Sequence, residues 1–421
     1  MKKSTWIIIG IVAGLAIIAV SFSAGAIVGN LLLPKPDVDW FSQLPLSTPN
    51  AIENGSPDPA VSGISRDDLF LPFWEAWDIV HEQYIDQPVD DLNLMRGAIT
   101  GMLDSIGDPH TGYMDPDQFF QANIPMEGEY EGIGAWVDTT SEFLTIISPM
   151  PDSPAENAGL LPGDEVIKID GEDMTGLDGS LVIKKVLGPA GSKVVLTIRR
   201  EGKAELFDVT IIREKIVLPS VESRMLEDNI GYIQIHTFGQ ETRDELRKNL
   251  KRILGQNPDG LIIDFRNNGG GYLQTAVEVA SEFITKEIIL FEDYGSDDGL
   301  VEFKAQKGGL ATDIPLVVLV NEGSASASEI VAGAIQDYDR GPLVGATTFG
   351  KGSVQNWIEL KNNQGAVRIT IARWLTPEKR QINSTGLDPD YPVELTEEDF
   401  ENELDPQLDK AIEVLLDLIG G

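Results

Sequence analysis

The stretch Leu316-Val317-Val318-Leu319-Val320-Asn321-Glu322-Gly323-Ser324-Ala325-Ser326-Ala327-Ser328-Glu329-Ile330 decides the fold. Its apolar run has no polar alternation, which marks a strand buried on both faces. Asn321-Glu322-Gly323 is a turn, and the small residues after it lead into a helix predicted over residues 326–337. An earlier stretch follows the same plan. An apolar strand over 261–265 runs through Arg266-Asn267-Asn268-Gly269-Gly270-Gly271 into a helix reaching residue 284. Two strand–Gly–helix units in one layer put two helix N-termini on one sheet edge, where α/β proteins place chemistry. With a strand over 230–235 and a helix over 241–254, the alternation from residue 214 onward predicts an α/β layered core.

Upstream of this core the pattern changes. Short strands are predicted over 133–137, 144–147, 165–169, 193–199 and 205–213, with helices over 154–160 and 177–187. Farther upstream, residues 66–120 read as helical. Phe70, Phe73, Trp74, Trp77, Val80 and Tyr84 recur at three- and four-residue steps, and a second helix is predicted over 92–103. Gly107-Asp108-Pro109-His110-Thr111 breaks it. His110 is a base or, more simply, a hydrogen-bonding group in a Pro-containing turn. Downstream, residues 388–409 hold ten acidic residues and no Lys or Arg, by default a solvated acidic surface.

Lys2 and Lys3 precede a run from residue 6 to 33 with no charged residue, long enough to span ~30 Å of hydrocarbon. The lysines would stay cytoplasmic and the body would be exported. Ala24-Gly25-Ala26 offers a cleavage pattern, so a cleaved signal stays open beside the anchor; the apolar run continuing to Leu33 favours the anchor. Residues 34–63, with six Pro, read as a tether.

Composition narrows the chemistry. The 421 residues carry 32 Lys+Arg against 68 Asp+Glu, a net charge of −36, which disfavours phosphate backbones, so no nucleic-acid partner is expected. Zero Cys excludes disulfides, a thiol nucleophile, iron–sulfur clusters and Cys-type zinc sites. His81-Glu82-Gln83-Tyr84-Ile85 lacks the second His of a zinc-protease helix, and no metal or cofactor is expected. Hydrolysis would have to come from Ser, Thr, Lys or dispersed carboxylates.

Ser326 stands at a strand-to-helix junction, where a helix N-terminus stabilises a developing anion. Ser326-x-x-Glu329 is equally a capping box. A nucleophilic Ser needs a base, and a desolvated Lys can serve, because burial disfavours the ammonium. Lys351 lies in Phe349-Gly350-Lys351-Gly352 with no acidic residue beside it in sequence. On its own it reads as an ordinary solvated lysine.

Two resemblances change that. Gly132-Ile133-Gly134-Ala135, Ser153-Pro154-Ala155, Ala158-Gly159-Leu160, Pro162-Gly163-Asp164 and Ile169-Asp170-Gly171 resemble a PDZ domain. The resemblance implies that the first block binds a peptide's terminal carboxylate through backbone N–H groups while the peptide adds to the sheet edge. The segments 321–330, 348–352 and 264–271, with Asp108-Pro109-His110-Thr111-x-Tyr113, resemble the C-terminal processing peptidases, or tail-specific proteases. That resemblance implies Ser326 as nucleophile, Lys351 as general base and Gln355 as the residue that orients the Lys. It implies an oxyanion hole from Ala327 and Gly270, and a supporting position at Asp337, for which a structural role is equally open. Four residues along a strand span about 13 Å, so Gln355 reaches Lys351 only if the chain bends after Gly352.

The expected organisation is a signal anchor over 1–33, linker 34–63, helical segment 64–124, PDZ domain 125–214, an α/β crotonase- or Clp-protease-like peptidase core 215–395, and an acidic helical segment 396–421. The expected partners are proteins with free apolar C-termini, the membrane through residues 6–33, and a second copy of the chain. The expected activity is extracytoplasmic serine endopeptidase; the rival reading is a PDZ scaffold with an inactive hydrolase core.

Overall fold

The computed structural model describes residues 65–420 apart from 178, 296–298, 397, 400, 401 and 403. The expected anchor and tether lie outside the described residues. Among the described residues no helix is long and apolar enough to cross a membrane. The described chain divides into two units, residues 65–105 and residues 106 onward.

In the first unit, α1 (Arg66–Gln83) is capped by Ser65, whose hydroxyl accepts from Asp68 N. Helix α2 (Asp91–Asp104) is capped by Asp90, which accepts from Leu92 N and Asn93 N. His81 Nε2 and Asp91 Oδ1 join the two helices at 2.7 Å.

The second unit begins with a departure from the expected helical segment. Residues Gly112–Met114 form strand β1, ahead of α3 (Pro116–Glu127), which closes on a left-handed Gly128. Then come β2 (Glu129–Gly132), β3 (Ala135–Asp138), β4 (Leu144–Pro149), α4 (Pro154–Asn157), β5 (Glu165–Ile169), β6 (Glu172–Asp173), α5 (Gly179–Val186), β7 (Lys193–Arg199), β8 (Phe207–Ile212) and β9 (Glu214–Val217). The antiparallel sheet runs β3-β4-β5-β7-β8, leaving β3 on an edge, while β2 and β9 form a separate ribbon. In β7, Val194, Leu196 and Ile198 are fully buried and alternate with more exposed residues, so one face covers the small core.

The core contains β10 (Val221–Met225), β11 (Ile230–Ile235), α6 (Thr242–Leu254), β12 (Gly260–Asp264), α7 (Leu273–Ala280), β13 (Ile288–Asp293), β14 (Val301–Lys304), β15 (Leu316–Val320), α8 (Ala327–Asp337), β16 (Leu343–Gly345), β17 (Ser353–Glu359), β18 (Ala366–Leu375), β19 (Tyr391–Pro392) and α9 (Pro406–Gly420). Its main sheet runs β10-β11-β12-β15-β16-β19, parallel except at β10. Because the parallel strands keep their chain order, right-handed crossovers put α6, α7 and α8 on one face. There Leu316, Val318 and Val320 pack with residues of those helices. Val317 and Leu319 point the other way, against Val414 and Leu415 of α9. Both faces of β15 are therefore buried, which is why it reads as an unbroken apolar run.

A second, antiparallel sheet runs β1-β18-β13-β14, with β17 also paired to β18. It lends Val354, Ala372 and Trp374 to the core that holds α7 and α8.

Candidate active site

The loops after β12 and β15 meet at the carboxyl edge of the parallel sheet. Asn321 Oδ1 accepts from Asn267 N at 2.8 Å, and Ser324 Oγ donates to Phe265 O at 2.8 Å. Ser328 Oγ and Ala325 N both donate to Asn268 O. Two of the three serines in this stretch thus bind the serine loop to the glycine loop. The third, Ser326, lines a pocket with Gly271, Leu273, Ile330, Val354 and Trp374.

Ser326 has φ 55° and ψ −111°, outside the extended region that a helix cap adopts. Such a conformation costs about 1–3 kcal/mol and persists only where the surroundings impose it. Gly270 leaves room for it. Its φ is 102°, and a Cβ there would sit 2.9 Å from both Ser326 Cβ and Ala327 N. The Ala327 N–H is the first of α8 and has no partner within the helix. The Gly270 N–H donates to Asn268 Oδ1 at 2.9 Å, so in this conformation it is turned away from an oxyanion.

Glu329 does more than the capping box asked of it. It is fully buried and accepts from Ser326 N at 2.8 Å, but also from Thr348 Oγ1 at 2.6 Å, Gly350 N at 2.7 Å and Lys351 N at 2.9 Å. Burial pushes its carboxyl up, and these hydrogen bonds work against that push. One carboxylate therefore anchors the serine and the lysine segments together. Lys351 has no acidic neighbour in sequence, yet its backbone rests on one in space.

Lys351 is 3% exposed. Desolvation, with the Arg368 charge second, pushes its amine down to about 7, against the opposing pull of Glu329 and Asp108. Trp374 Nε1 donates to Lys351 O at 2.8 Å, fixing the other side of the backbone. The solvated reading of this lysine is thus corrected, because atoms distant in sequence enclose it.

Gln355 is fully buried, and its Nε2 donates to Ser353 Oγ at 2.8 Å and Thr370 Oγ1 at 3.1 Å. Strand β17 has a register shift against β18 between Val354 and Gln355, two residues beyond the bend expected after Gly352. Such irregularities re-aim side chains next to active sites. His110 is half-buried near the lysine, and desolvation and then the Lys351 charge hold its imidazole down. Sequence reading left it open between a base and a hydrogen-bonding group in a turn.

Asp337 ends α8, about 15 Å along the helix from Ser326. It pairs with Arg380 and accepts from Glu378 N at 2.7 Å, a structural position. Asp405, read as solvated surface, pairs with Arg266 at 2.7 Å, and Arg266 in turn holds the fully buried Asp264. This ties α9 to the root of the glycine loop.

In the small domain, Gly132 ends β2, Ile133 and Gly134 form the loop, and Ala135 opens the edge strand β3. The Tyr130 hydroxyl donates to Met150 Sδ at 3.9 Å, and burial pushes its phenol up to about 12 against the pull of the nearby Ala135 and Gly134 N–H groups.

Glu329's full role, Trp374, Thr370, Arg368 and Asn268 were missed from the sequence. Asp108, Asn268 and Glu329 stood in motifs read from the sequence; Trp374, Thr370 and Arg368 carried no signal there.

A parallel sheet with a strained serine and a buried lysine at its carboxyl edge, joined to a PDZ-type sheet, defines a class of serine peptidase. The pattern of peptidase family S41 matches residues 229–393, that of a PDZ domain residues 145–200, and that of the activating protease CtpB N-terminal domain residues 63–118. The carboxy-terminal-processing protease of Bartonella bacilliformis is 38% identical over 326 residues, spanning 76% of this chain and 74% of that one. The carboxy-terminal processing protease CtpB of Bacillus subtilis is 35% identical over 339 residues, spanning 79% and 69%. A solved S41-protease structure from Bacteroides fragilis NCTC 9343 superposes with a TM-score of 0.51 at 16% identity, over 81% of this chain and 96% of that one; it shows the fold. The chain belongs to peptidase family S41, the carboxy-terminal processing serine proteases with a PDZ domain.

Proposed function

We propose that the chain is a membrane-anchored, extracytoplasmic endopeptidase that works through a Ser326–Lys351 dyad and selects substrates by their C-termini. Neutral Lys351 takes the proton from Ser326 Oγ, which attacks the peptide carbonyl carbon. The oxyanion is met by the Ala327 N–H and by an N–H of the glycine loop, where Gly270 must first release Asn268. The Lys351 ammonium then protonates the leaving amine. A water that gives its proton to Lys351 attacks the ester, and the Lys351 ammonium returns that proton to the departing Ser326 Oγ, which restores the dyad. Gln355 orients the amine, and Asp337 holds the end of α8 through Arg380.

The observation that carries the reading is the burial of Lys351, which puts its amine at about 7 and makes it a working base near neutrality. The Gly132-Ile133-Gly134-Ala135 block and the open edge of β3 support capture of a free apolar C-terminus. The uncharged run over 6–33 supports the anchor and the extracytoplasmic location. A second copy of the chain is part of the same proposal.

The test is cleavage of an unfolded protein with an apolar C-terminus by the full-length chain, beside Ser326→Ala and Lys351→Ala. Cleavage by the parent alone, with both variants folded, is expected. Full activity in Ser326→Ala would overturn the mechanism.

A further inference from the structure

The Asp108-Pro109-His110-Thr111 motif lies far from Ser326 and Lys351 in sequence, and the steps above leave it without a task. The fold brings it to the lysine. Strand β1, just after the motif, pairs with β18 so that Gly112 faces Arg368 and Met114 faces Ala366. Arg368 Nε donates to His110 O at 2.8 Å, and Thr370 N donates to Thr111 Oγ1 at 3.1 Å. Asp108 Oδ2 accepts from Thr111 Oγ1 at 2.6 Å and from Thr370 Oγ1 at 2.5 Å, and Oδ1 accepts from His110 N at 3.0 Å. Desolvation pushes this carboxyl up, but those three donors outweigh it and hold it below the usual carboxylate range. Asp108 is therefore ionised at working pH.

An ionised carboxylate only accepts hydrogen bonds, and a hydroxyl has one hydrogen to give. Thr370 spends that hydrogen on Asp108. Its oxygen can then only accept from Gln355, so the amide nitrogen of Gln355 must face Thr370. With Ser353 Oγ accepting the second amide hydrogen, the Gln355 carbonyl is left as the acceptor for an amine. The charge on Asp108 thus dictates the polarity of the whole chain of bonds.

Resting on the Ser326–Lys351 reading, we propose that Asp108 is a positioning residue of the peptidase: acting through Thr370, it fixes the Gln355 amide so that its carbonyl faces Lys351 and aims the amine lone pair at Ser326. The charged and titratable groups around the lysine are Arg368, Glu329, Asp108 and His110. Asp108 is thus one of two anions that favour the ammonium.

The test uses the full-length protein with Ser326→Ala, Lys351→Met, Asp108→Asn, Thr370→Val and Thr370→Ser, each checked for a cooperative melt. Two readouts are taken across pH: cleavage of labelled casein, and the titration of Lys351 by NMR on 13C-lysine protein, its signal assigned by its loss in Lys351→Met. Thr370→Val should lower kcat about tenfold or more with KM little changed, since small misplacements of reacting groups are costly. It should leave the Lys351 titration in place. Thr370→Ser, which keeps the hydroxyl, should restore the parental kcat. Asp108→Asn should lower kcat and move the Lys351 titration to lower pH, because an anion is lost. Loosened packing would instead admit water and move it upward. Parental behaviour in Asp108→Asn, an upward move, or a Thr370→Ser variant as slow as Thr370→Val overturns the role of Asp108. A parent whose Lys351 titrates at its ordinary value overturns the dyad reading instead.

Discussion

Replacing Lys351 with Met should abolish cleavage and stabilise the fold, by an amount that depends on pH. The folded protein holds the Lys351 amine at about 7, against an ordinary 10.5. The unfolded chain therefore binds the proton more tightly, and stability rises with pH between these values. Below about 7 the full burden is present; it vanishes near 10.5. The gap corresponds to about 5 kcal/mol at most. Hydrogen bonds of the amine that Met cannot make, each worth about 1 kcal/mol, reduce the net gain. The variant should thus be several kcal/mol more stable than the parent at pH 6, with the advantage shrinking steadily by pH 9. Urea unfolding at pH 6, 7.5 and 9, followed by tryptophan fluorescence, measures it. The parent's cleavage rate should rise through the same region near 7, since only the neutral amine is a base. A pH-independent difference, or a less stable variant at pH 6, would refute the idea that desolvation sets this group.

Other perturbations reach other parts of the site. Gly270→Ala places a Cβ 2.8 Å from Ala325 O and 2.9 Å from Ala327 N at a φ of 102°; it should cost roughly 1–3 kcal/mol and most of the activity, read by melting and cleavage. Arg266→Met leaves the buried Asp264 without its cation and should cost about 3–5 kcal/mol, whereas Asp405→Asn, on the more exposed arm, should cost less; denaturant midpoints rank the two. A substrate whose apolar C-terminus is amidated should be cut more slowly than the free acid; equal kcat/KM for the two would count against carboxylate capture by the 132–135 loop.

Much of the secondary structure was legible because its causes are local. The strands at 165–169, 193–199, 230–235 and 316–320 coincide with their apolar runs. The hairpin of β17 and β18 was not read. Ser353–Glu359 mixes Gln355, Asn356 and Glu359 with apolar residues, and its register shift breaks the alternation that marks a strand. Residues 112–114 were read as helical, yet they form β1. A three-residue strand takes its identity from its partner, here β18.

At the site, the sequence by itself determined which groups can react. Residue type and spacing offered a serine opening a helix after a buried strand and a glycine run after another; the resemblance to the C-terminal processing peptidases singled out Ser326 and Lys351. What surrounds them was decided by the tertiary structure. The proton affinity of Lys351 depends on burial and on neighbouring charge, and the groups around it (Arg368 and Trp374 of β18, Glu329 of α8) lie on other elements of the chain. Desolvation is a property of an enclosed volume, so no window of sequence contains it. The same holds for the bond chain from Asp108 to Gln355. Its polarity follows from one carboxylate meeting one hydroxyl, Thr370, 262 residues away along the chain.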